Sequence, residues 1–77
     1  MNKPRRKELA EAVALLMNAK EILEIVQDEE QEAFDNMPEG LQSSERGEKM
    51  EEYIYSIEDA ANTIDDMIDT LNEIVEG

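Results

Sequence analysis

Carboxylates are the only reactive groups this chain carries in number. It holds 21 aspartates and glutamates against seven lysines and arginines, with no histidine and no cysteine. A nucleophile relay of the Ser/His/Asp or Cys/His type needs residues that are absent. Ser43 and Ser44 have no base beside them in sequence. Asp65, Asp66 and Asp69 lie close together, and Asp65 and Asp69 share a helix face four residues apart. A di-iron bundle would need Glu-x-x-His ligands turned into its core, and no histidine can supply them. The stretch Asp35-Asn36-Met37-Pro38-Glu39-Gly40 starts like a calcium loop, but Met37 and Arg46 stand at the third and twelfth positions where ligands belong. No glycine-rich phosphate loop occurs. The sequence therefore predicts no catalytic, metal or cofactor-binding residue, and a protein that is not an enzyme.

What remains is charge and its placement. Lys3, Arg5, Arg6 and Lys7 crowd the N-terminus, and only Lys20, Arg46 and Lys49 follow. Residues 8–77 thus set 21 acids against three bases, a net of −18. Such a surface repels nucleic acid and anionic lipid and attracts basic proteins. The expected partner is a basic protein surface, with no direct nucleic-acid or membrane binding. No apolar run approaches the ~20 residues that cross a bilayer. The basic N-terminus is followed by no apolar region, so it does not read as a signal peptide, and the expected location is the cytoplasm.

The elements that position these charges are two long helices. From Met50 to Val75, apolar residues fall at Met50, Ile54, Ile57, Ala61, Ile64, Ile68, Leu71 and Val75, in alternating steps of four and three. That spacing keeps one stripe against a partner helix. A second stripe flanks it: Tyr53, Ala60, Met67 and Ile74. The helix is expected over about 45–76, with Ser44 as its N-cap. A first helix is expected over about 4–36, capped by Asn2, with Pro4 in its first turn. Leu9, Leu16 and Leu23 share one heptad position of its seam, and Ala12, Ala19, Val26 and Ala33 the facing one. Leu15 and Ile22 flank that seam on one side, Val13 and Phe34 on the other. Glu30 falls in the leucine position, where a solvated last stretch of helix is expected.

Residues 37–44 connect the two. One helical turn near Pro38–Gln42 is expected, with Asn36 and Glu39 at N-cap and N3 spacing and Leu41 as an inward anchor. The short connection makes the helices antiparallel. The basic arm then lies beside Glu73 and Glu76, so that two ends unfavourable to their helix dipoles offset each other. The fold class is all-α, a single helical hairpin over residues 1–77. Without disulfides a hairpin this small gains stability most readily by self-association. Leu15, Ile22, Tyr53, Met67 and Ile74 would form the interface of a homodimer, a four-helix bundle.

Three segments carry a resemblance: Asn2 to Leu9, Asp28 to Gln42, and Ser44 to Glu52. Together they resemble the short acidic proteins encoded by phages and prophages of Gram-positive bacteria, most specifically in the central block. The resemblance implies a mobile-element accessory protein. Small acidic phage proteins include inhibitors of bacterial defence, some of which imitate DNA. On that reading Glu51, Glu58, Asp65, Asp66, Asp69 and Glu73, extended by Asp28, Glu29 and Glu32, display the charge that occupies a basic host surface. Two alternatives stand beside it. One is an assembly protein acting through apolar bundle contacts. The other is a nucleotide sponge, which would need Arg46, Lys49 and the basic arm to meet at a subunit boundary.

Overall fold

The computed structural model describes all residues, Met1–Gly77. It contains α1 (Lys3–Asp35), α2 (Glu39–Gln42) and α3 (Glu45–Glu76), and no strand. The hairpin is a rod of 58 × 14 × 13 Å. Each long helix spans about 50 Å at 1.5 Å per residue, so α1 and α3 lie side by side along it. No helix is long and apolar enough to cross a membrane.

The helix ends follow local chemistry. The Asn2 side chain accepts from the Arg5 N–H at 2.9 Å, and Pro4 occupies the first turn, where a missing N–H costs nothing. Ser44 caps α3 by accepting from the Gly47 N–H at 3.3 Å. The α2 turn forms where expected but is organised differently. Asn36 is the C-cap of α1, its N–H donating to the Glu32 carbonyl at 3.0 Å, and Pro38 precedes α2 with no side-chain cap. Leu41 does not anchor the turn, because it is 52% exposed. Gln42 takes that place. Its Nε2 donates to the carbonyls of Phe34, at 3.0 Å, and Met37, at 3.1 Å. Carbonyls at the end of a helix lack partners, and a side-chain amide supplies the donor that leucine has not got.

Gly47 lets the turn close. It is buried in the first turn of α3, and a Cβ there would meet the Gln42 carbonyl oxygen and stand 2.6 Å from the Leu41 oxygen. Only a residue without a side chain allows α2 so close to α3.

On α3 the seam is as expected. Gly47, Ile54, Ala61 and Ile68 are buried at seven-residue intervals, and Met50, Ile57, Ile64 and Leu71 are half-buried between them. On α1 the seam lies elsewhere. Leu9, Leu16 and Leu23 face α3, but the row beside them is Arg6, Val13, Lys20, Gln27 and Phe34, half-buried apart from the buried Val13. The expected row is displaced to the flank: Ala12 and Ala19 are half-buried, Ala33 is exposed and Val26 is 42% exposed. Val13 and Phe34, expected on a flank, are in the seam. The reason is size. Leaving Phe34 and Val13 outside would strand side chains whose burial contributes about 1.5–3 kcal/mol each, whereas an alanine methyl contributes less than about 1 kcal/mol. α1 runs unbroken through Glu30, which stands half-exposed in the seam.

Candidate functional site

In heptad letters the seam positions of both helices are a and d. On α1, Val13, Lys20 and Gln27 are a, and Leu9, Leu16 and Leu23 are d. On α3, Ile54, Ala61 and Ile68 are a, and Met50, Ile57 and Ile64 are d. Lys20 then decides which sides of the two helices share an edge. Its Nζ lies 3.0 Å from Asp65 and 3.2 Å from Glu24. Asp65 and Glu24 are both e residues, so the e sides of the helices form one edge of the hairpin. The g sides form the other.

The e edge is acidic. Glu51, Glu58 and Asp65 stand on it at seven-residue intervals, with Asp69 and Asp28 at the adjoining b positions. All five are exposed. Glu21, Glu24 and Glu48 belong to the same edge and were missed in the sequence. A seam drawn through Lys20 would have found them. The remaining expected residues do not join this face. Asp66, Glu73 and Glu32 point outward at f positions, and Glu29 falls on the opposite edge. Asp65 is held by Lys20, whose pKa is raised above the ordinary lysine value by its hydrogen bond to Asp65 first and to Glu24 second. A small cleft of about 220 Å³ between Met17, Lys20, Glu24, Asp65 and Ile68 marks the spot.

The g edge is apolar. Leu15 is 70% exposed, Ile22 60% and Tyr53 55%, and Met67 and Ile74 continue the strip. The Thr63 and Thr70 hydroxyls on this edge donate to the Asp59 and Asp66 carbonyls, at 2.9 and 3.0 Å, so neither needs a partner from outside. A shallow groove of about 410 Å³ runs past Thr63, Met67, Thr70 and Leu71. Toward the connection, Lys49 lies 5.9 Å from the centre of the Tyr53 ring and 3.6 Å from Glu52.

The N-terminal bases do not pair with Glu73 or Glu76. The protein's ion pairs are the two of Lys20 and that of Lys49 with Glu52. Arg6 turns its Nε into the end of the seam, where it finds no hydrogen-bond partner. No group of three or more acids is placed to hold a metal ion. The arrangement offers two surfaces for contact, one charged and one apolar, separated on opposite edges of a stiff rod. The chain matches no protein-family model, no curated protein and no solved structure.

Proposed function

We propose that this protein is a non-enzymatic binding module, a phage or prophage accessory protein working in the host cytoplasm. Its acidic edge occupies a basic, nucleic-acid-binding surface of a host protein, as an anti-defence inhibitor would. Two hairpins pair into a four-helix bundle that stiffens the display. The observation that supports this reading is the sorting of charge. Of the 21 acids only Glu8 and Glu29 stand on the apolar edge, so the anionic field lies on the acidic edge and the outward faces of the two helices. Carboxylates repeated along a straight helix make a fixed line of negative charge on a rod, the feature by which a basic surface holds a polyanion. A field of one sign also steers a basic partner into place.

The test is capture of basic proteins from a Gram-positive lysate on the immobilised protein, followed by salt and by duplex DNA. A captured nucleic-acid-handling protein that leaves steeply with rising salt and is displaced by excess duplex supports the reading. A complex that withstands both overturns it. The apolar edge favours a second reading, an assembly helper that binds through apolar contacts. That complex would be insensitive to salt and disrupted by Leu15→Glu or Met67→Glu.

A further inference from the structure

The g edge is left uncovered by the hairpin's own fold, and its side chains are sorted by size as well as by charge. We propose that a second copy of the chain covers this edge, docked with both connections at the same end of the rod, so that α1 of each copy lies against α3 of the other. This deepens the pairing in the reading above. It depends on that reading only for the existence of two copies, and not on what the acidic edge binds.

Charge selects the occupant. A chain of net charge −14 meets a copy of itself with least repulsion where acids are missing. The g edge and its c flank hold Glu8 and Glu29 alongside Arg5, Arg46 and Lys49. A basic partner would be drawn to the opposite edge instead.

Size selects the orientation. The Lys20–Asp65 pair, at 3.0 Å, puts Ala19 and Met67 at about the same level. Seven residues either way, Ala12 is level with Ile74 and Val26 with Ala60, and Ala33 follows level with Tyr53. Each layer thus holds one bulky and one small side chain, on opposite helices. A two-fold axis along the rod carries α1 onto α3 of the other copy at the same level. Every bulky residue then faces a small one, as close packing requires. A two-fold across the rod would set α1 on α1 and α3 on α3. With that axis at the middle of the strip, Ala12 would oppose Ala33 on one side and Tyr53 would oppose Ile74 on the other, so the outer layers would demand two different helix spacings.

Burial supplies the need. The hairpin alone buries five of its 77 residues. The strip from Ala12 to Ala33 is about 30 Å long and two helices wide, on the scale of the ~800 Å² that each partner of a stable complex contributes.

The experiment is the mass of the unaltered protein by light scattering across a concentration range, joined to a label distance. Gly40→Cys introduces a lone cysteine at an exposed turn where a Cβ meets nothing within 4 Å. Spin labels there report the orientation, and neither measurement needs a destabilising substitution. The expected result is twice the 8.8 kDa of one chain, with labels separated by a distance set by the 13–14 Å width of each rod. A mass of one chain at every concentration, or of more than two, overturns the pairing. A doubled mass with labels separated by a distance near the 58 Å rod length overturns the orientation. An acidic edge that held no basic partner would leave both readouts unchanged.

Discussion

The two long helices share one seam and fill it in different ways. α3 contributes Ile54, Ala61 and Ile68, all at most 8% exposed, while α1 contributes one such residue, Val13. The a positions of α3 hold only apolar or small residues. Those of α1 read Arg6, Val13, Lys20, Gln27 and Phe34. α3 therefore supplies the more deeply buried a positions of the seam, and α1, beside its leucines, places polar groups there. Polar residues at a positions cost stability and specify register. The difference suggests a division of labour in which α3 holds the pair together and α1 decides how it is held.

The sharpest way to break that comparison is to truncate one a residue on each helix. Ile54→Ala removes a side chain that is 5% exposed and should cost about 2–4 kcal/mol. Gln27→Ala, at a half-buried a position of α1, should cost less than about 1 kcal/mol, because alanine also favours helix. Urea unfolding followed by circular dichroism gives both values. Equal losses would mean that α1 contributes as much to the seam as α3 does.

A second test concerns where α3 begins. Gly47→Ala places a Cβ 2.6 Å from the Leu41 oxygen and against the Gln42 carbonyl. Helix propensity favours the alanine by up to about 1 kcal/mol, but overpacking against backbone costs about 1–3 kcal/mol. A net loss is expected, together with faster proteolysis of the connection. Gly40→Ala is the control. It has open space, and should be neutral or stabilising by up to about 1 kcal/mol. If both alanines stabilise, α2 does not pack on α3 as described.

The same asymmetry explains what could be read in the sequence. α3 was legible to its ends, because its apolar spacing runs unbroken from Met50 to Val75 and Ser44 and Gly77 bracket it. α1 was legible as a helix but not in its rotation. Two rows compete beside Leu9, Leu16 and Leu23. The row Ala12, Ala19, Val26, Ala33 wins on apolar count, and the row Val13, Lys20, Gln27, Phe34 wins on volume. Hydropathy spacing does not weigh a phenylalanine against an alanine, so it chose the first. The rotation in turn decides which acids share an edge. In the rotation α1 adopts, Asp28 shares the acidic edge with Glu21 and Glu24, and Glu29 falls on the other edge. Gln42 was hidden for another reason. Its role comes from the carbonyls of Phe34 and Met37, on either side of the end of α1, which its amide reaches only once the chain has turned.

Lys20 gives the finest test of the division between the helices, and its effect on stability should be the smallest of the three. Its side chain is 28% exposed and its partners Asp65 and Glu24 are each 53% exposed, so solvent and salt screen the pair. The folded protein holds the lysine pKa above its ordinary value, through Asp65 first and Glu24 second. A group whose pKa is raised on folding contributes fully below its unfolded pKa. The contribution is therefore flat across neutral pH and is lost as pH rises past the ordinary lysine value and through the raised one. Lys20→Met should remove that alkaline decline while changing neutral-pH stability little, because both carboxylates left behind are exposed. Unfolding curves at neutral and alkaline pH check the sign: a variant that keeps the full decline would exclude Lys20 as its source. The larger consequence should be in pairing. With methionine at that position, no charge penalises a shift of α1 along α3. Amide spectra of Lys20→Met should then show doubled or broadened resonances near residues 20 and 65, while the wild type shows a single set. A single sharp set in the variant would mean that side-chain packing alone fixes the register, and that the polar a positions of α1 have no part in it.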